Sequence, residues 1–180
     1  MSRQEKIYVC AAAQQEAAAA LCSLAALVYL EQHLTAQGFA VQTGGADADQ
    51  CNASKPDMAL QLAGSVGGVG CVVYHPVTAD WQRYGDSRRL AVLLEEQARR
   101  YRLLCRREVQ AGANIDWLQA VQAPAALTVC NLPDDDVYSH LSLLQAQAKG
   151  FARAVKLWFK EKNENNENEK GEKEEHETLF

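Results

Sequence analysis

Histidine, cysteine and paired polar side chains are the residue types in this chain that could do chemistry, and their spacing sets them apart from one another. None of the four histidines, His33, His75, His140 and His176, has a second histidine at helical or strand spacing, whereas metal-binding histidine pairs recur one turn or one strand step apart. His75 closes an apolar segment and is the histidine best placed to line a site. The six cysteines, Cys10, Cys22, Cys51, Cys71, Cys105 and Cys130, form no CxxC pair and mostly sit inside apolar segments. They read as buried reduced thiols rather than a disulfide framework or a zinc knuckle. Cys130 ends an apolar run where a nucleophile could stand, but no histidine is spaced to activate it.

No G-x-S-x-G elbow occurs. The glycine-rich run 64–70 has no Gly-Lys-Ser or Gly-Lys-Thr ending and leads into a strand, so it reads as a tight turn rather than a phosphate cradle. Arg99, Arg102 and Arg106 share one helix face, either as an anion site or as solvated cations favoured by the helix dipole. Trp81, Arg83 and Tyr84 stand close in sequence and could stack on a sugar or peptide, or pack a loop.

The elements that must position these residues alternate between strand and helix. Residues 6–10 and 39–43 carry β-rich patterns, separated by an alanine-rich helix over 14–37 that stops at Gly38. A polar stretch through Asp47, Asp49 and Asn52 reads as a loop with a short helix. Strands are expected at 58–63 and 71–74, joined by the glycine-rich run as a hairpin or tight crossover. A helix over 86–106 follows, capped by Asp86 or Ser87, then a strand at 127–130 and a last helix over 135–160. This order predicts an α/β fold, a three-layer domain with a mostly parallel central sheet and helices on both faces.

The stretch from Lys55 through Asp57 to Ser65, followed by Gly67-Gly68-Val69-Gly70 and a strand ending in Tyr74, resembles a segment of the zinc-dependent N-acetylmuramoyl-L-alanine amidases. Pro124-Ala125-Ala126-Leu127 is similar to the family's Pro-Ala-x-Leu signature, and Pro133-Asp134-Asp135-Asp136 to the acidic turn that opens its last helix. The resemblance spans residues 6–158. It implies hydrolysis of the amide between the lactyl group of N-acetylmuramic acid and L-alanine, by water activated on a zinc held by two histidines and a glutamate, with a second glutamate as general base. Carried over residue by residue, the first histidine falls on Ala13, the ligand glutamate on Ala19 or Ala20, the second histidine on Ala63 and the general base on Val129. Alanine and valine neither hold a metal nor move a proton. The expectation is therefore no catalytic residue, no metal ligand and no cofactor, with Glu16, His75, Trp81 and Arg83 as groove candidates.

Three functional readings follow: an inactive amidase-like protein that binds a peptidoglycan fragment or a protein partner, an active amidase with a displaced site built from Glu16, His75 and Asp134, or an assembly module. Zinc belongs only to the second. Net charge is −5. Residues 160–180 hold eight Glu and four Lys, or −4, leaving −1 for the body and no basic balance to attract nucleic acid. Residues 1–160 are expected to form the domain and 161–180 a disordered acidic tail, with apolar Leu179 and Phe180 at its end. The apolar run 17–30 falls short of the roughly 20 residues of a membrane span and reads as a buried helix. No secretory-signal layout precedes it, so the expected location is cytoplasmic.

Overall fold

The computed structural model describes residues 3–68, 70–100 and 109–177, with side-chain surroundings through residue 167. Among the described residues six strands form one sheet: β1 (Lys6–Ala11), β2 (Ala40–Gly44), β3 (Met58–Val66), β4 (Gly70–His75), β5 (Gln110–Ala111) and β6 (Ala125–Leu132). Their order is β2-β1-β3-β6-β4-β5. Pairs β1–β2, β1–β3, β3–β6 and β4–β5 are parallel, and β4–β6 is antiparallel.

Alternation along β1 explains the layers. Ile7 and Val9 point to one face, where they join Leu30, Leu34, Leu60, Leu94 and Phe151 in the main core. That face is covered by α1 (Ala17–Ala36), α3 (Trp81–Arg100) and α5 (Leu141–Glu177). Tyr8 and Cys10 point the other way, into a smaller cluster with Cys51, Trp117 and Leu118 from the short helices α2 (Ala48–Ser54) and α4 (Asp116–Ala120). Both faces are buried along the central strands, as a parallel sheet requires. The α/β fold with a mostly parallel sheet between helices is thus present.

Several boundaries differ from the sequence reading. β3 and β4 form neither a hairpin nor a crossover side by side, because β6 inserts between them and pairs with both. α3 starts at Trp81 rather than Asp86: the Asp80 carboxylate accepts the Arg83 amide at 3.0 Å and acts as the cap. Asp86 and Ser87 serve inside the fold instead, Asp86 O accepting from Trp158 Nε1 and Ser87 Oγ from the Ala125 amide. The expected continuation of α3 to Arg106, and with it Cys105, lies outside the described residues. At the last helix, Asp136 caps a 3-10 turn, Val137–His140, and its carboxylate is held below the ordinary range by the Ser139 hydroxyl and amide. α5 spans Leu141–Glu177 and so continues past Lys160, the expected end of the last helix. Its first turn past Lys160 is docked: Glu161 receives two bonds from Arg89 at 2.7 and 2.8 Å, and Lys162 reaches Asp86 at 2.9 Å. An established helix is also cheap to extend through Glu- and Lys-rich sequence. Leu179 and Phe180 lie outside the described residues.

α1 is only half a buried helix. Cys22, Ala26, Leu30 and Leu34 enter the core, while Leu21, Leu24 and Val28 face outward. By length and composition it is the single helix among the described residues apolar enough to cross a membrane. Its packing against β3 and α5 makes it part of the domain.

Candidate functional site

Strand register builds the candidate site. Ala63 on β3 stands opposite Val129 on β6, and Val129 opposite Val72 on β4. Side chains paired across strands share a face, so these three form one row on the side of α2 and α4. The next row toward the carboxyl end of β3 holds Ser65, Asn131 and Gly70, with Asn131 Nδ2 reaching Gly70 O at 3.4 Å. Val72, Val129, Ser65 and Asn131 are all half-buried, so this part of the sheet is a shallow, uncharged floor. The Ala12 amide donates to Leu62 O at 2.7 Å, which brings the exposed Ala13 to the same strand end. Glu16, the exposed residue before α1, continues that rim.

Ala19 and Ala20 lie elsewhere. They belong to the first turns of α1, on the opposite sheet face, where α1 is pressed onto Gly64. A Cβ at Gly64 would collide with the Ala19 carbonyl and stand 2.8 Å from Cys22 Cβ. Ser23 ties the contact together, its hydroxyl donating to Ala19 O at 2.9 Å and accepting the Gly64 amide at 2.7 Å. The structure thus brings Ala63, Val129 and the Ala13 segment together and leaves Ala19 and Ala20 behind the sheet. Val72 completes the row and was missed from sequence, because nothing local to β4 announces that β6 will lie beside it.

A zinc ion would need three protein ligands, which the resemblance places at Ala13, at Ala19 or Ala20, and at Ala63, with the base at Val129. Methyl and isopropyl groups supply none, and among the described residues no group of three or more His, Cys, Asp or Glu could hold a metal. The residues present do not fit the metal that the resemblance implies.

The remaining groove candidates gather lower on the sheet. His75 follows Tyr74, which stands opposite Leu127 near the start of β6. His75 is buried, and its ring meets Tyr84 edge-on at 5.4 Å, which in turn meets Trp81 at 6.2 Å. Nδ1 of His75 lies 2.9 Å from Pro76 O, a contact that requires this nitrogen to carry the proton. Trp81 is 83% exposed, leaving its ring available. Arg83 turns inward, donating to Leu118 O at 2.6 Å and Gln119 O at 3.4 Å, and burial lowers its pKa. It caps the end of α4 rather than facing a ligand. We expect Arg83→Ala to cost about 1–3 kcal/mol through the orphaned carbonyls, read by urea unfolding; an unchanged midpoint would refute the capping role. Asp134 pairs with His140 at 3.1 Å beyond the end of β6, so Glu16, His75 and Asp134 do not converge. Arg99 pairs with Glu95 at 2.7 Å; Arg102 and Arg106 lie outside the described residues.

Thiol chemistry is muted by burial. Beneath α2, burial and then the neighbouring Cys51 push the Cys10 thiol up to about 12, while burial pushes Cys51 to about 11, from an ordinary 9.0. Tyr8 beside them is pushed up to about 12, chiefly by burial, and its hydroxyl donates to Gly45 O at 3.0 Å or Gln50 Oε1 at 3.2 Å. Groups with raised acid pKa values favour folding fully below the unfolded value and lose that contribution as pH climbs toward the folded one. Thermal stability should therefore fall between pH 9 and about 11, and less steeply in Cys51→Ala; equal slopes in both proteins would refute the assignment. On the other face, a hydrogen bond with Cys130 lowers the Cys22 pKa against the effect of burial.

Compared with known proteins, the sequence matches no family model and no curated protein. Solved structures do match. The N-acetylmuramyl-L-alanine amidase of Mycobacterium smegmatis superposes with a TM-score of 0.70 at 13% identity, covering 86% of this chain and 96% of that one. An N-acetylmuramoyl-L-alanine amidase from Clostridium difficile gives 0.69 at 13% identity, covering 88% and 98%. The CwlD amidase of Clostridioides difficile, solved in complex with the GerS lipoprotein, gives 0.65 at 16% identity, covering 88% and 98%. This chain therefore has the fold of the N-acetylmuramoyl-L-alanine amidases.

Proposed function

We propose that this protein is a non-hydrolysing, amidase-like protein that works by binding, with a peptidoglycan fragment or a protein as its partner. The observation carrying this reading is the row Ala63, Val129 and Val72, apolar across three adjacent strands at the position where the resemblance asks for a metal ligand and a base. Catalysis of amide hydrolysis needs an activated water and a proton acceptor within reach, and this row offers neither. The uncharged floor with Ser65 and Asn131 at its rim suits neutral amide and hydroxyl groups, such as those of a muropeptide. A protein partner is favoured by a different fact: one of the structural neighbours, the CwlD amidase, was solved in complex with a lipoprotein.

The test is to purify the full chain without chelators, add zinc, and measure bound metal and release of L-alanine-linked peptide from muropeptides. We expect no stoichiometric zinc and no turnover. One zinc per chain with turnover would overturn the proposal and place an active site elsewhere. Calorimetric titration with muropeptide then separates the partners: heat that is lost in Asn131→Leu assigns the floor to the glycan peptide, and no heat directs the search to proteins.

A further inference from the structure

The outer surface of the α1–α5 layer carries two stripes that the sheet-side site does not use. On α1, Leu21, Leu24 and Val28 are 38%, 54% and 47% exposed and lie within one helical face. No charged residue occurs from Ala17 to Leu30, and only 33% of the helix's most apolar stretch is buried. Tyr138, 74% exposed, adds an amphipathic ring on the 3-10 turn that packs against both α1 and α5. On α5, Lys149, Arg153, Lys156 and Lys160 recur at steps of four, three and four residues and are all exposed. Arg153, Lys156 and Lys149 have no ion-pair partner among the described residues, and Lys160 meets only Glu164, at 3.6 Å. Together with Gln37 and Leu157 they line one surface hollow.

α1 and α5 pack side by side on the same sheet face, so both stripes point away from the sheet, apolar toward the helix starts and basic toward the far end of α1. Apolar side chains beside a row of unpaired cations are what an anionic lipid surface selects: the first enter the acyl boundary and the second meet headgroup phosphates. A second copy of this chain would meet cations with cations along the same stripe, and a neutral protein groove would leave the basic row without a partner.

We propose that this face docks on anionic membranes, lying on the bilayer with Leu21, Leu24 and Val28 inserted and Lys149, Arg153 and Lys156 on the headgroups. The inference is independent of the amidase-like reading, since it uses none of the sheet-side residues.

Cosedimentation of the full chain with vesicles of phosphatidylglycerol and phosphatidylcholine, and of phosphatidylcholine alone, tests it. Binding is expected only to the anionic vesicles and should weaken as salt rises. Arg153→Gln with Lys156→Gln should weaken partition about 25-fold, at about five-fold for each cation removed. Leu24→Gln with Val28→Gln should reduce binding without changing its salt dependence. All four positions are exposed, so circular dichroism should be unchanged. The proposal fails if anionic vesicles do not bind the protein, or if neither double variant alters binding. It also fails if light scattering finds a lipid-free dimer that Leu24→Gln with Val28→Gln dissolves while vesicle binding persists unchanged.

Discussion

Gly64→Ala should destabilise the fold by about 3 kcal/mol, the upper range for inserting a methyl group into a filled contact. The added Cβ would meet the Ala19 carbonyl and Cys22 Cβ, a helix backbone and a fully buried side chain, so neither can swing aside. Any shift of α1 also strains the Ser23 bridge, in which one hydroxyl holds both Ala19 O and the Gly64 amide. Ser23→Ala offers an independent measure: it leaves the buried Gly64 amide without its partner, at about 1–3 kcal/mol. Urea denaturation of the two variants checks both. A loss below about 1 kcal/mol for Gly64→Ala would mean that α1 rides above β3 rather than on it, and that the space behind Ala63 is open.

Trp158→Ala should cost about 3–5 kcal/mol, the range for removing a large aromatic side chain from a core. Trp158 packs edge-on against Phe159 at 4.9 Å, donates Nε1–H to Asp86 O at 3.0 Å, and lies under the Lys162 ammonium at 4.7 Å. It therefore joins α5 to α3 where α5 leaves the body. Its loss should loosen residues 159–167 before the rest, visible as faster amide exchange there while β3 and β6 stay protected. Uniform exchange along the chain would show that α5 is not anchored at this point. Glu161 offers a pH readout of the same junction. Its bond from Arg89 holds the carboxylate below its ordinary 4.5, so the pair stabilises the fold above that pH and ceases to as pH falls. Both groups are well exposed, so this effect is small beside that of Trp158.

Element types were legible wherever the apolar pattern was local. Ile7 and Val9 alternating with Tyr8 and Cys10, or Cys22, Ala26, Leu30 and Leu34 at helical spacing, announce their own burial. The start of α3 was hidden because its first turn reads Trp81-Gln82-Arg83-Tyr84-Gly85, with no apolar periodicity and a glycine, so its signal lies in the Asp80 cap alone. β5 has two residues, too few for any pattern. The outward stripe of α1 was misread as core because hydrophobicity does not tell which side of an all-apolar helix meets the sheet.

What the sequence determined by itself is the chemical inventory: alanine at positions 13, 19, 20 and 63, valine at 72 and 129, and no two histidines at ligand spacing. Side-chain identity is local, and no fold turns a methyl group into a ligand or a base. Which of these positions meet was decided only by tertiary structure. Ala63 faces Val129 and Val72 because β6, far along the chain, slots between β3 and β4, while Ala19 and Ala20 are turned to the other face by the packing of α1 on Gly64. Strand order and register arise from burying both faces of the sheet at once, a sum over long-range contacts that no single segment encodes.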